Sequence, residues 1–113
     1  MAARSVKRLR LNVFRGCPFV VGRKKDCELT YEDPEVSKYH CQFEVAWEGG
    51  VPCIVLFDTS TNGTWLQGFQ LRQEVAYQVY PGDVISLLDP RFPQHHEILI
   101  ESVGQADVSS AGG

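Results

Sequence analysis

The sequence predicts an all-β fold, a sandwich or a barrel. Turn-forming residues interrupt the chain every several positions, and the segments between them alternate apolar and polar with a period of two. No stretch carries the apolar stripe of a helix. The interruptions are Gly16, Gly22, Asp33-Pro34, Gly49-Gly50, Asn62-Gly63, Gly68, Pro81-Gly82 and Asp89-Pro90. Glycine, proline, asparagine and aspartate favour turns because they tolerate or preset unusual backbone angles.

Taken in order, Val6, Leu9, Leu11 and Val13 supply the apolar residues of a first strand, with its charges solvated. Phe19-Val20-Val21 reads as a second strand. Residues 40–47 alternate cleanly, with Cys41, Phe43, Val45 and Trp47 on one side and Gln42, Glu44 and Ala46 on the other. Residues 54–57 are a short apolar run suited to a strand covered on both faces. Residues 74–80 place Val75, Tyr77 and Val79 on one face, and residues 83–88 and 97–103 complete the set. Trp47 and Trp65 read as packing residues, and Asp83 as a turn residue that fixes the strand after it. Residues 104–113 are small and polar and read as a flexible tail or linker, which leaves 4–103 as the ordered domain.

The 113 residues suffice for one core and not for a second. No apolar run approaches the roughly 18 residues that a membrane span needs, and no secretory signal is visible. Cys17, Cys27, Cys41 and Cys53 form no CxxC pair, so they read as reduced, mostly buried thiols of an intracellular protein, not as a zinc or redox site. The net charge of −3 hides an asymmetry: residues 1–25 hold eight bases and no acid, while the remainder holds three bases and fourteen acids. A chain that gripped nucleic acid over its surface would not be net acidic, because phosphate neutralisation dominates such binding. Any anion site is therefore expected to be small and local.

Three clusters on predicted loops could build such a site: Gly22-Arg23, Ser37-Lys38-Tyr39-His40 and Thr61-Asn62-Gly63-Thr64. A guanidinium at a strand end, as at Arg23, can grip a phosphate with two parallel hydrogen bonds. Ser37 and Thr61 offer hydroxyl donors, and Lys38 a mobile charge. The carboxamide of Asn62 both donates and accepts, as clasping an extended peptide backbone requires. Gly63 permits the positive φ of a tight turn that would place Asn62. Lys24 and Lys25 read either as solvated charge or as a local potential that draws in an acidic peptide.

The order Gly22-Arg23, Ser37 to His40, Asp58 to Thr64 and Gly82-Asp83-Val84-Ile85 resembles the forkhead-associated (FHA) domain over about residues 19–88. The resemblance implies a β-sandwich of about eleven strands, related to the SMAD architecture, with its functional loops at one end. It implies a non-enzymatic module that binds phosphothreonine peptides without a cofactor. Arg23 and Ser37 would contact the phosphate, Thr61 and Lys38 would assist, and Asn62 would bind the peptide backbone. Gly22, His40 and Gly63 would be architectural. The segment Asp89 to His96 resembles the corresponding loop in FHA domains of checkpoint-type protein kinases and of a mitotic-checkpoint ubiquitin ligase. A kinase parent, nuclear location and a monomeric isolated domain follow as expectations.

Two departures stand out. Gln67-Gly68 occupies a hairpin position where the family often has Asn-Gly. Glu32, Asp33 and Glu35 precede Ser37, where family members that select an acidic residue three after the phosphothreonine tend to carry a base, so an apolar or basic +3 residue is expected. Other readings compete. Ser37, His40 and Asp58 name a catalytic triad by type, yet no nucleophile elbow or oxyanion loop accompanies them. His95-His96 has no third metal ligand at recognisable spacing and reads as loop. A structural sandwich that binds a non-phosphorylated partner through another face is the alternative to phosphopeptide recognition.

Overall fold

The computed structural model describes residues 6–105. Ten strands form two five-stranded sheets, close to the expected eleven. They are β1 (Val6–Asn12), β2 (Phe19–Gly22), β3 (Leu29–Thr30), β4 (Cys41–Glu48), β5 (Val51–Asp58), β6 (Thr64–Leu66), β7 (Phe69–Gln70), β8 (Tyr77–Gln78), β9 (Val84–Leu87) and β10 (His96–Gly104). One sheet runs β1-β10-β9-β6-β7 and the other β3-β2-β4-β5-β8. β10 continues to Gly104, which pairs with Asn12; residues 106–113 of the expected tail lie outside the described residues.

The alternation read from the sequence sets the core. Leu9 and Leu11 of β1, Ile85 and Leu87 of β9, and Ile98 and Ile100 of β10 point inward from one sheet. Val21, Cys41, Phe43, Ile54 and Leu56 meet them from the other. Burying each such aliphatic side chain is worth about 1.5–3 kcal/mol relative to leaving it in water. All four cysteines are free thiols, three of them buried.

The structure corrects two expectations. Trp47 shares the inward face of β4 but is 63% exposed. β2 pairs with β4 only as far as Phe43, and β8 pairs with β5 only at Val55 and Leu56. The tip of the β4–β5 hairpin is thus two strands wide, and neither β2 nor β8 reaches Trp47. The strand expected over 74–80 shrinks to β8, because Glu74 adopts φ 60° and a turn closes from the Val75 amide to the Arg72 carbonyl. Val75 is consequently exposed. The Gln67-Gly68 hairpin forms with both residues at positive φ, and the Gln67 carboxamide oxygen accepts the Val84 amide at 2.7 Å. Asp83 behaves as expected, its carboxylate accepting the Tyr80 amide at 2.8 Å.

Register places the three predicted loops together. Val21 of β2 lies opposite Cys41 at the start of β4, and Cys41 opposite Asp58 at the end of β5. In the facing sheet Thr64 and His96 both lie opposite Leu87. The segments leaving β2 and β5, entering β4 and β6, and joining β9 to β10 therefore share one end of the sandwich.

Candidate phosphate-binding groove

Arg23 leaves β2 under tight control. Its backbone amide donates to the carbonyls of Ser37 and Lys38 at 3.0 and 3.1 Å, and its Nε donates to the Val36 carbonyl at 3.0 Å. Anchoring Nε leaves the terminal guanidinium nitrogens to reach an anion at the groove that Arg23 lines. Gly22 makes this approach possible: a Cβ there would stand 2.2 Å from the Lys38 carbonyl oxygen.

Two loops are held together by one imidazole. His40 is fully buried; its Nδ1 accepts the Ser37 amide at 3.1 Å and its Nε2 donates to the Gly63 carbonyl at 2.8 Å. An amide proton facing Nδ1 requires a neutral ring protonated at Nε2. Burial depresses the His40 pKa below the ordinary histidine value, against the opposing pull of the Gly63 carbonyl and Asp58. A direct contact joins the same loops, since Ser37 Oγ accepts the Thr61 amide at 2.9 Å. The Ser37 hydroxyl proton remains available for donation outward.

The Thr61-Asn62-Gly63 turn is built on a buried carboxylate. Asp58 Oδ1 accepts the Ser60 amide at 2.9 Å, the Ser60 hydroxyl at 2.6 Å and the Thr64 hydroxyl at 2.8 Å. The last of these bonds crosses from β5 to β6 and so ties the two sheets. Ser60 Oγ in turn accepts the Gly63 amide at 2.8 Å. Gly63 holds φ 101°, and a Cβ there would meet the Trp65 ring at 2.6 Å. Trp65 packs as expected, against the turn.

Asn62 is oriented by a residue that sequence reasoning did not single out as part of the site. Its Nδ2 donates to the Glu35 carbonyl at 2.8 Å and to the Glu35 carboxylate at 3.1 Å, which leaves Oδ1 as the acceptor available to a ligand. Asp33 fixes Glu35 by accepting its amide at 2.9 Å and also bonds His96 Nε2 at 2.7 Å. The Glu35 amide and then His96 hold the Asp33 carboxyl below its usual pKa. His96 thus opens β10 and braces the site loop, where a loop residue was expected. The one available signal was the Asp33-Pro34 turn, which localises Glu35 but not its partner.

Arg23, Ser37, Lys38, Thr61 and Asn62 all line one open groove of about 750 Å3, joined there by Glu35 and Tyr39. Gly22, His40 and Gly63 lie beneath it, in the framework. The triad reading fails on geometry: both His40 nitrogens are bonded to backbone, Ser37 Oγ faces the Thr61 amide, and Asp58 serves Ser60 and Thr64. A cavity of about 330 Å3 at the other end, bordered by Val51, Cys53, Val79 and Tyr80, has no base in its lining. Among the described residues no group of three His, Cys, Asp or Glu side chains could hold a metal ion.

A β-sandwich that gathers cationic, hydroxyl and carboxamide groups on loops at one end has the build of a binding module. This chain belongs to the FHA domain family, whose model matches residues 19–88. It is 37% identical over 70 residues to the meiosis-specific serine/threonine-protein kinase MEK1 of Saccharomyces cerevisiae, covering 59% of this chain and 14% of the kinase. It is 33% identical over 94 residues to the E3 ubiquitin-protein ligase CHFR of Xenopus tropicalis, covering 80% of this chain and 15% of the ligase. The chain thus spans a small fraction of the length of these relatives. Among solved structures, the MEK1 FHA domain in complex with a HOP1 phosphothreonine peptide matches with TM-score 0.55 and 35% identity, over 60% of this chain and 70% of that one. The N-terminal FHA domain of S. cerevisiae Rad53p with a phosphothreonine peptide matches with TM-score 0.55 and 30% identity, over 61% and 54%.

Proposed function

We propose that this domain recognises phosphothreonine in an extended segment of a partner protein. The observation that carries the reading is the convergence on one groove of the Arg23 guanidinium, anchored through Nε, and the Ser37 hydroxyl, held by the Thr61 amide. Solved relatives in the family hold phosphothreonine peptides. Arg23 and Ser37 contact the phosphate, and Lys38 and the Thr61 hydroxyl add charge and a donor. Asn62 Oδ1 accepts a backbone amide of the ligand beside the phosphothreonine. Phosphothreonine is preferred over phosphoserine through burial of one methyl group, worth about 0.8 kcal/mol.

The domain, expected over residues 4–103 and extended by β10 to Gly104, serves as the docking part of a larger signalling protein. Kinase and ubiquitin-ligase relatives support a tethered catalytic domain that the docking brings to its partner. The same relatives support intracellular, nuclear action. The test is titration of matched phosphothreonine, phosphoserine and unphosphorylated peptides against wild type and Arg23→Ala. Phosphothreonine-selective binding that the variant loses is the expected result. Binding indifferent to phosphorylation in a folded domain would move the partner to another face.

A further inference from the structure

The central groove has neighbours of opposite character on its two flanks. Asn62 and Glu35 are shared with an apolar pocket of about 400 Å3 that also includes Leu88, Asp89 and Phe92. Arg23 and Tyr39 are shared with a second recess of about 440 Å3 completed by Lys24, Lys25 and Asp26. Lys24 and Lys25 therefore stand beside Arg23 on one flank of the groove, and Glu35 and Asp89 on the other.

The basic flank is a braced turn. The Lys24 amide donates to the Lys38 carbonyl at 3.3 Å, and the Lys24 carbonyl accepts the Cys27 amide at 3.1 Å and the Thr30 hydroxyl at 3.4 Å. The Tyr39 hydroxyl donates to the Asp26 carboxylate at 3.0 Å, which pins the turn to the Ser37 loop and draws the recess's one acid toward the tyrosine. Among the described residues no carboxylate lies within ion-pair distance of Lys24 or Lys25, whereas Arg8 and Arg10 pair with Glu101 and Arg91 with Asp89. Two lysines with no carboxylate partner among the described residues, held on a fixed turn beside the central groove, concentrate positive potential where a ligand must pass.

We propose that the Lys24-Lys25 recess is a second anion subsite, which takes an acidic or phosphorylated side chain on one flank of the phosphothreonine. The inference rests on the phosphothreonine reading of the central groove. It makes the preferred ligand charge-asymmetric: doubly phosphorylated or acidic on one side, apolar or basic on the other. Because the recess shares Arg23 and Tyr39 with the central groove, the second anion falls within a few residues of the first in an extended peptide.

The test uses peptides with one phosphothreonine and neutral flanks, and the same peptides with a second phosphothreonine two, three or four residues before or after it. Wild type is expected to bind the best one-sided doubly phosphorylated peptide about fivefold more tightly than the singly phosphorylated one at low salt. Lys24→Ala/Lys25→Ala should remove that gain and leave affinity for the singly phosphorylated peptide within about threefold of wild type. Arg8→Ala/Arg10→Ala, which removes the same charge elsewhere, should retain the gain. No gain in wild type, equal gains on both flanks, or a gain that survives the lysine double variant would overturn the subsite. Failure to discriminate phosphorylated from unphosphorylated peptide is a separate outcome, and it would overturn the reading of the central groove instead.

Discussion

His40 Nδ1 accepts the backbone amide of Ser37 at 3.1 Å, so the loop that carries the Ser37 hydroxyl is held by a neutral ring. The same ring donates from Nε2 to Gly63 across the groove floor. Protonation would turn Nδ1 into a donor facing another donor and release the Ser37 loop, while Nε2 keeps its bond to Gly63.

The pH dependence follows with its sign. The His40 pKa is depressed in the folded state. Between that value and about 6.5 the unfolded chain binds the proton and the folded one does not. The contribution of the ring is full above pH 6.5 and falls away as pH drops toward the folded pKa, by up to about 1.4 kcal/mol per pH unit. Urea unfolding at pH 7.5 and 5.5 should show this loss in wild type and a smaller one in His40→Gln. Equal losses would show that the ring does not control it.

Arg23→Ala should abolish phosphopeptide binding, by thirtyfold or more, with an unchanged circular dichroism spectrum. Arg23→Lys should fail nearly as badly, because an ammonium cannot bond the Val36 carbonyl and present two parallel donors at once. Calorimetric titration would measure both; a lysine variant with wild-type affinity would show that charge alone suffices.

Asp58→Ala strands the Ser60 amide, the Ser60 hydroxyl and the Thr64 hydroxyl in a buried setting. The expected loss is about 3 kcal/mol of unfolding free energy. It should appear as a lower urea midpoint, even in the absence of ligand. A loss below about 1 kcal/mol would indicate that water replaces the carboxylate.

Gly22→Ala places a methyl group against the Lys38 carbonyl. The Ser37 loop must shift to admit it, so both stability and affinity should fall. Gly68→Ala, where a Cβ meets nothing within 4 Å, separates steric conflict from backbone strain at positive φ. Thermal unfolding of the two variants, with peptide titration, distinguishes the effects: only Gly22→Ala should weaken binding.

An acidic residue at +3 should weaken binding relative to an apolar or basic one. Glu35 stands beside the Leu88 and Phe92 pocket, while the charge of nearby Asp89 is met by Arg91. Glu35→Lys should relax or reverse the preference in an oriented phosphopeptide library. Enrichment of aspartate at +3 by the wild-type domain would contradict it.

Most of the strand content was legible because a half-buried strand writes its two faces into alternate residues. Cys41, Phe43 and the pair Ile98 and Ile100 show it, with Val45 partly buried against the core. The same pattern misplaced Trp47 and Val75, since alternation assigns a face but not whether anything covers it. The short strands β3, β6 and β7 fall below the length at which a period can be read.

The sequence alone determined which side chains are offered to a ligand: Arg23, Ser37, Lys38, Thr61 and Asn62 stand on turn-rich segments between strands. Tertiary structure alone decided that these segments, far apart in the chain, share one end of the sandwich. It also decided that Glu35 aims Asn62, that His40 serves backbone and not a nucleophile, and that Lys24 and Lys25 border the groove. Those relations depend on strand register and on hydrogen bonds between loops, which residues distant in the chain acquire only once the two sheets have packed.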